Sequence, residues 1–187
     1  MRILVIDDNE THRKAAKAQL KNHELTVVGS YDEGQERVAK GHKFEAVLVD
    51  LLMPASGQSM GSMGQEFVDQ EMPNGVFLAV LAAKNGAKYA AVFTDSDHHS
   101  HPASACFDAF NPEGEGRPES FTVNGGKVIL CNDRNLVETF RRDDLAKAMS
   151  WNEAQKDKGR AVRTKNWAGL LSYLTAPSTK KGRKEVA

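Results

Sequence analysis

Three short apolar runs in this chain each end on a carboxylate or a hydroxyl, and that repeat limits the fold more than any other feature. Ile3-Leu4-Val5-Ile6 ends at Asp7-Asp8, Phe44 to Val49 ends at Asp50, and Ala90 to Phe93 ends at Thr94. Runs of this length with little polar alternation suit strands buried on both faces, as parallel strands are. The stretches between them read as helices. Asn9 is placed to cap a helix from about Glu10 to Lys21. Ser30-Tyr31-Asp32-Glu33 is a capping-box pattern opening a helix to about Lys40, with Gly41 beyond its end. Glu24 to Val28 reads as a further strand between those two helices.

From Gly75 to Lys84 the chain again reads as a helix, with Phe77, Leu78, Leu81 and Ala82 on its expected buried face. Strands alternating with helices predict an α/β fold with a parallel sheet. In such sheets ligands sit beyond the carboxyl ends of the strands. Asp7, Asp8, Asp50 and Thr94 would all lie along that one edge.

Beyond Thr94 the alternation fades. Asp97 to Pro118 reads as a long loop. Phe121 to Leu130 reads as a β-hairpin turning on Asn124-Gly125, and its second arm is the candidate fifth core strand. Asn135 to Lys158 is charged and expected to be helical in part. Trp167, Leu170, Leu171 and Leu174 fall at i, i+3, i+4 and i+7, which marks a final amphipathic helix ending before Pro177. A single domain over 1–175 is expected, with residues 176–187 as a basic, disordered tail.

Carboxylates crowded at a sheet edge repel one another and raise each other's pKa. A hard divalent cation relieves that repulsion, and Mg²⁺ suits one or two carboxylates together with waters and phosphate oxygens. Thr94 is placed to bond a transferred phosphoryl oxygen. The plainer alternative is a solvated strand-to-helix turn at Asp7-Asp8-Asn9.

Ile3 to Asn9, followed by Val47-Leu48-Val49-Asp50-Leu51-Leu52-Met53-Pro54, resembles the receiver domain of bacterial response regulators. The resemblance covers about residues 1–54 and, less closely, 75–95. It implies a doubly wound, flavodoxin-like five-stranded parallel sheet with flanking helices, here with an added β-hairpin and long loops. It also implies that Asp7, Asp8 and Asp50 bind Mg²⁺ and that Asp50 is the phosphoacceptor for a partner sensor histidine kinase. Thr94 matches the switch hydroxyl of that family. The expected activity is that of a signalling protein, limited to self-phosphorylation and dephosphorylation, with a downstream protein target as output.

The chain departs from the receiver pattern in three places. Ala55 to Glu71 is inserted after Met53-Pro54, before Met72-Pro73-Asn74-Gly75 resumes the opening of the third helix. A second insertion spans about 97–126. Receivers also place a Lys, commonly followed by Pro, at the end of the fifth strand. This chain has Cys131-Asn132-Asp133 there, and Lys127 stands at the opposite end. A receiver-like interaction module working without phosphorylation is therefore one alternative.

A second alternative is a phosphohydrolase of the haloacid-dehalogenase type, in which Asp7 would be the nucleophile. Its acid/base position is occupied by Asn9, whose amide cannot exchange that proton. A separate cluster, Asp95 to His101, carries His98, His99 and His101, with Cys106 and Asp108 nearby. It offers donors for Zn²⁺ or another transition metal, or a loop overhanging the acidic pocket, but its spacing matches no standard ligand pattern. Local hydrogen bonding within a polar loop accounts for it more simply.

Lys+Arg and Asp+Glu both number 25, so no overall basic field collects nucleic acid. Arg141, Arg142, Arg160, Arg163 and Lys165 read as solvated charge, and DNA binding is not expected. Two cysteines, Cys106 and Cys131, fit a reducing compartment without disulfides. The opening apolar run is too short to span a bilayer, so the expectation is a cytoplasmic protein with no membrane contact.

Overall fold

The computed structural model describes residues 1–39, 43–58, 62–97, 99–110, 118, 120–133, 136, 156–157, 160–161 and 164–176. The first elements follow the predicted alternation: β1 (Arg2–Ile6), α1 (Glu10–Gln19), β2 (Glu24–Val28), α2 (Tyr31–Ala39) and β3 (Ala46–Val49). Asn9 caps α1 as expected, its side chain accepting from the Thr11 N–H at 2.9 Å. After β3, β4 (Met53–Pro54) and β5 (Glu71–Met72) pair antiparallel and clip together the two ends of the first insertion. A 3-10 turn at Ser62–Phe67 lies between them. Then come α3 (Gly75–Lys84), β6 (Tyr89–Thr94), α4 (Pro102–Phe107), β7 (Ser120–Val123), β8 (Gly126–Asn132) and, at the end, α5 (Trp167–Thr175). A two-residue ladder pairs β9 (Lys156–Asp157) with β10 (Arg160–Ala161).

The main sheet has six strands in the order β2-β1-β3-β6-β8-β7. The first five run parallel, and β7 is an antiparallel edge strand added by the hairpin with β8. That hairpin turns on Asn124 and Gly125, whose φ values of 48° and 82° are the left-handed pair a tight turn of this kind needs. Helices cover both faces of the sheet. Leu4 and Ile6 point to the side packed by α2 and α3, and Ile3 and Val5 to the side packed by α1 and α5. This explains why Ile3 to Ile6 of β1 is apolar without a break: all four residues are fully buried, each contributing about 2 kcal/mol.

Two local expectations need correction. Phe77 does not join the buried face of α3, whose buried residues are Gly75, Leu78, Ala79, Ala82 and Ala83; Phe77 is 69% exposed. The helix is apolar nearly all round, so the sequence pattern alone does not choose its inner face. The stretch after Thr94 is also more ordered than a plain loop, since α4 and a 3-10 turn at Asp108–Phe110 lie within it. The helix expected within 135–158 falls outside the described residues except at Leu136 and β9, and the 177–187 part of the tail lies outside them too. By contrast, the final helix is as expected, with Trp167, Leu170, Leu171 and Leu174 all buried.

Among the described residues no helix is long and apolar enough to cross a membrane.

Candidate functional site

The parallel registers bring the acidic residues together. Ile6 is paired with Val49, and the Asp50 N–H donates to the Ile6 carbonyl at 2.8 Å, so Asp7 and Asp50 leave neighbouring strands side by side. Asp7 is fully buried, Asp50 is 8% exposed and Asp8 is partly exposed. Carboxylate oxygens of Asp7, Asp8 and Asp50 all lie within 4.8 Å of one another.

Backbone contacts hold these acids in place. Asp7 Oδ1 accepts from the Asn9 N–H at 2.9 Å, and Asp50 Oδ1 from the Leu51 N–H at 2.7 Å. Arg13 ties down the turn by donating to the Asp7 and Asp8 carbonyls at 2.8 and 2.5 Å. The start of α3 lies against the backbone of Asp50. A Cβ on Gly75 would fall 1.7 Å from the Asp50 carbonyl oxygen, so only glycine fits there.

Thr94, at the end of β6, is 1% exposed, and its Oγ1 accepts from the Ser96 N–H at 3.1 Å. It stands on the same sheet edge as the acids, at the position the sequence gives it.

The structure supplies the cation that the fifth strand lacks. Lys165 is fully buried, and its Nζ lies 2.8 Å from Asp7 Oδ2 and 2.7 Å from Asp50 Oδ1. The reading of Lys165 as solvated surface charge is overturned by this burial. The chain leaves the sheet after β8, and the Asn166 N–H is back at Asp133 Oδ1, 3.4 Å away. Lys165 therefore enters beside the carboxyl end of the fifth parallel strand, although it follows that strand only after a long excursion in sequence. Its one sequence signal is indirect: Lys165 stands two residues before the final amphipathic helix, so counting back from Trp167 reaches it while counting forward from Leu130 does not.

Two further residues complete the surroundings of this lysine. Asp95 Oδ1 is 4.0 Å from Lys165 Nζ, and Asp95 Oδ2 is 3.1 Å from Nε2 of the buried His12. Neither role is legible in sequence, since His12 lies in the first turn of a helix with little apolar patterning and Asp95 opens the histidine-rich loop.

The electrostatics follow from three acids sharing one base. Burial pushes the Asp50 carboxyl up to about 7; Lys165 opposes this, while Asp7 and Asp8 add to it. Burial also raises Asp8, with repulsion from Asp7 second. For Lys165 burial acts to lower the pKa, but Asp50, Asp7 and Asp95 outweigh it and hold the ammonium charged above its ordinary value. Burial acts to raise Asp95, yet the hydrogen bond with His12 and the charge of Lys165 bring it down to about 2.

The cluster keeps an excess of negative charge after Lys165 is counted, and its donors are all oxygens. Asp7, Asp8 and Asp50 could thus hold a metal ion through carboxylate oxygens.

His98, proposed as a metal ligand, lies outside the described residues. The His99 N–H donates to Asp97 Oδ1 at 2.9 Å, and His101 Nδ1 accepts from the Ala103 N–H at 3.1 Å. Among the described residues, Asp7, Asp8 and Asp50 form the one group of three or more ligands with metal-holding geometry, and His99 and His101 are not in it.

Comparison with models of known protein families gives no match, and comparison with curated protein sequences gives none either.

Proposed function

We propose that this chain is a receiver-like phosphoacceptor of a two-component system, taking a phosphoryl group on Asp50 from a histidine kinase and passing the signal on by protein contact. The observation that carries this reading is the Lys165 ammonium on Asp50 and Asp7, at 2.7 and 2.8 Å. It removes the main objection raised by the sequence, namely a fifth strand without its lysine. The order β2-β1-β3-β6-β8 of the parallel strands agrees with the flavodoxin-like arrangement in which this chemistry is carried out.

In this reading an Asp50 carboxylate oxygen attacks the phosphorus of a phosphohistidine. The phosphorus–nitrogen bond breaks, and the imidazole leaves with the electron pair and takes up a proton. Mg²⁺ held by Asp7, Asp8 and Asp50 would neutralise phosphoryl oxygens. Lys165 offsets the added negative charge, and the Thr94 hydroxyl donates to a phosphoryl oxygen once it turns away from Ser96. Burial of the pocket strengthens each of these contacts relative to water.

The hydrolase alternative asks Asp7 to be the nucleophile. Asp7 is fully buried, with one oxygen on Lys165 and the other on the Asn9 N–H, while the Asn9 side chain caps α1. That leaves no presented nucleophile, and the residue at that family's acid/base position is an amide engaged in capping.

Beryllofluoride with Mg²⁺ tests the proposal. Binding is expected to perturb backbone amide resonances around Asp50, Thr94 and Lys165, and Asp50→Asn is expected to abolish it. Binding that persists in Asp50→Asn, or turnover of phosphate esters lost in Asp7→Asn, would overturn it.

A further inference from the structure

We infer that His12 and Asp95 are positioning residues for Lys165, joined to it in a closed circuit that fixes both the backbone from which the lysine springs and the place of its ammonium. The carboxylates of Asp7 and Asp50 hold only the end of a long, rotamer-rich side chain. Its backbone is held by α1 instead. The Lys165 N–H donates to His12 Nδ1 across a long 3.4 Å, and the Lys165 carbonyl accepts from Gln19 Nε2 at 2.8 Å. The following residues dock on the same helix face: Trp167 Nε1 donates to the His12 carbonyl at 3.0 Å, and the Ala168 N–H to Gln19 Oε1 at 2.8 Å.

The His12 ring is the joint of this circuit. Its Nδ1 faces a backbone N–H and so must accept; the hydrogen of the neutral ring is then on Nε2, which donates to Asp95 Oδ2 at 3.1 Å. The other oxygen of Asp95 faces the Lys165 ammonium at 4.0 Å. Lys165 backbone, His12, Asp95 and Lys165 ammonium thus form a loop of contacts. Asp95 directly follows Thr94, so the loop also ties the lysine to the strand end that carries the hydroxyl. Satisfying both ring nitrogens is ordinary for a buried histidine; what sets His12 apart is that its two partners, the Lys165 backbone and Asp95, are the two ends of the same lysine's surroundings.

The functional readout rests on the phosphoacceptor reading, so the test has two arms. In the first, Mg²⁺ affinity and beryllofluoride affinity are titrated separately. His12→Leu and Asp95→Ala are expected to weaken beryllofluoride about tenfold while Mg²⁺ affinity stays within about twofold. His12→Gln, whose amide nitrogen can still donate to Asp95, is expected to recover most of that loss. In a Lys165→Met background His12→Leu is expected to cost nothing more, because the residue it positions is gone. Unchanged beryllofluoride affinity, or an equal loss in the Lys165→Met background, would overturn the inference. Should His12→Leu fail to fold, Asp95→Ala at its partly exposed position carries the same comparison.

The second arm needs no phosphoryl chemistry. Lys165 is expected to resist reductive methylation in the wild-type chain, to become reactive in His12→Leu and Asp95→Ala, and to be protected again in His12→Gln. If the wild-type chain binds no beryllofluoride, the phosphoacceptor reading falls, and methylation alone decides the positioning role: equal protection in all variants would overturn it.

Discussion

Asp7, Asp8 and Asp50 enter the pocket directly from strands whose apolar runs specify them, and their neighbours in sequence hold them there. Lys165 enters from the far side of a long excursion, and residues distant in sequence hold it, Gln19 and His12 on α1 and Asp95 after β6, while Asp133 after β8 accepts from the N–H of the next residue, Asn166. The acidic half is a by-product of strand register, since pairing Ile6 with Val49 sets Asp7 beside Asp50 whatever else the chain does. The basic half depends on tertiary docking of α5. Without that docking the acids would face one another uncompensated.

Lys165→Met breaks this comparison most sharply and carries the largest expected effect. Removing one partner from a buried ion cluster strands the other charges, at a cost of about 3 kcal/mol. Millimolar Mg²⁺ is expected to return more of the lost stability to the variant than it adds to the wild-type chain, since the cation would then do the neutralising alone. Thermal unfolding with and without Mg²⁺ measures this; equal gains in both proteins would show that the acids and the lysine are not electrostatically linked.

Gly75→Ala probes the acidic half. The new methyl would meet the Asp50 carbonyl oxygen at 1.7 Å, so α3 must move off the strand end or carry Asp50 with it. Overpacking of this kind costs about 2 kcal/mol, and beryllofluoride binding is expected to weaken together with the urea midpoint. A variant as stable as the wild-type chain would mean that the start of α3 does not press on Asp50.

These unequal routes explain what could be read from the sequence. The acidic pair, Asp50 and Thr94 were legible because periodicity marks buried strands and strand ends mark the sheet edge. The hairpin at Asn124-Gly125 was legible because few residues tolerate its φ values. Lys165 was not, because a lysine in a basic stretch carries no local sign of burial. Only the apolar spacing of Trp167, Leu170, Leu171 and Leu174 beside it, taken with the pocket's need for a cation, points to its place. His12 was hidden for a related reason: its helix face has two alanines and one histidine buried, too little apolar surface for the pattern to set the ring inside. Phe77 misled in the opposite sense, because an apolar residue on an apolar helix need not face the core.

Trp167→Phe tests the docking of α5 more gently. The ring is fully buried and meets Phe93 edge-on with centroids 5.4 Å apart, an arrangement that phenylalanine can largely keep. The hydrogen bond from Nε1 to the His12 carbonyl is lost, at about 1 kcal/mol. Because this bond helps align the segment carrying Lys165, methylation of Lys165 is expected to rise modestly, while Mg²⁺ affinity, set by the acidic half, stays unchanged.

The smallest effect on stability belongs to the charge of Asp95, and its dependence on pH identifies it. Its carboxyl is held at about 2, below the ordinary unfolded value of about 3.9, so the folded state favours the ionised form. The resulting stability is fully present above about pH 4 and is lost as pH falls through 2. With the side chain 35% exposed, solvent screening keeps this contribution below about 1 kcal/mol. Asp95→Asn removes the titration while keeping an acceptor for His12. Its deficit against the wild-type chain in urea unfolding is therefore expected to be constant from pH 7 to pH 5, to shrink between pH 4 and 2, and to vanish below that. A deficit unchanged at pH 2 would assign the loss to shape rather than charge, and would leave His12 and Lys165 joined through Asp95 by hydrogen bonding alone.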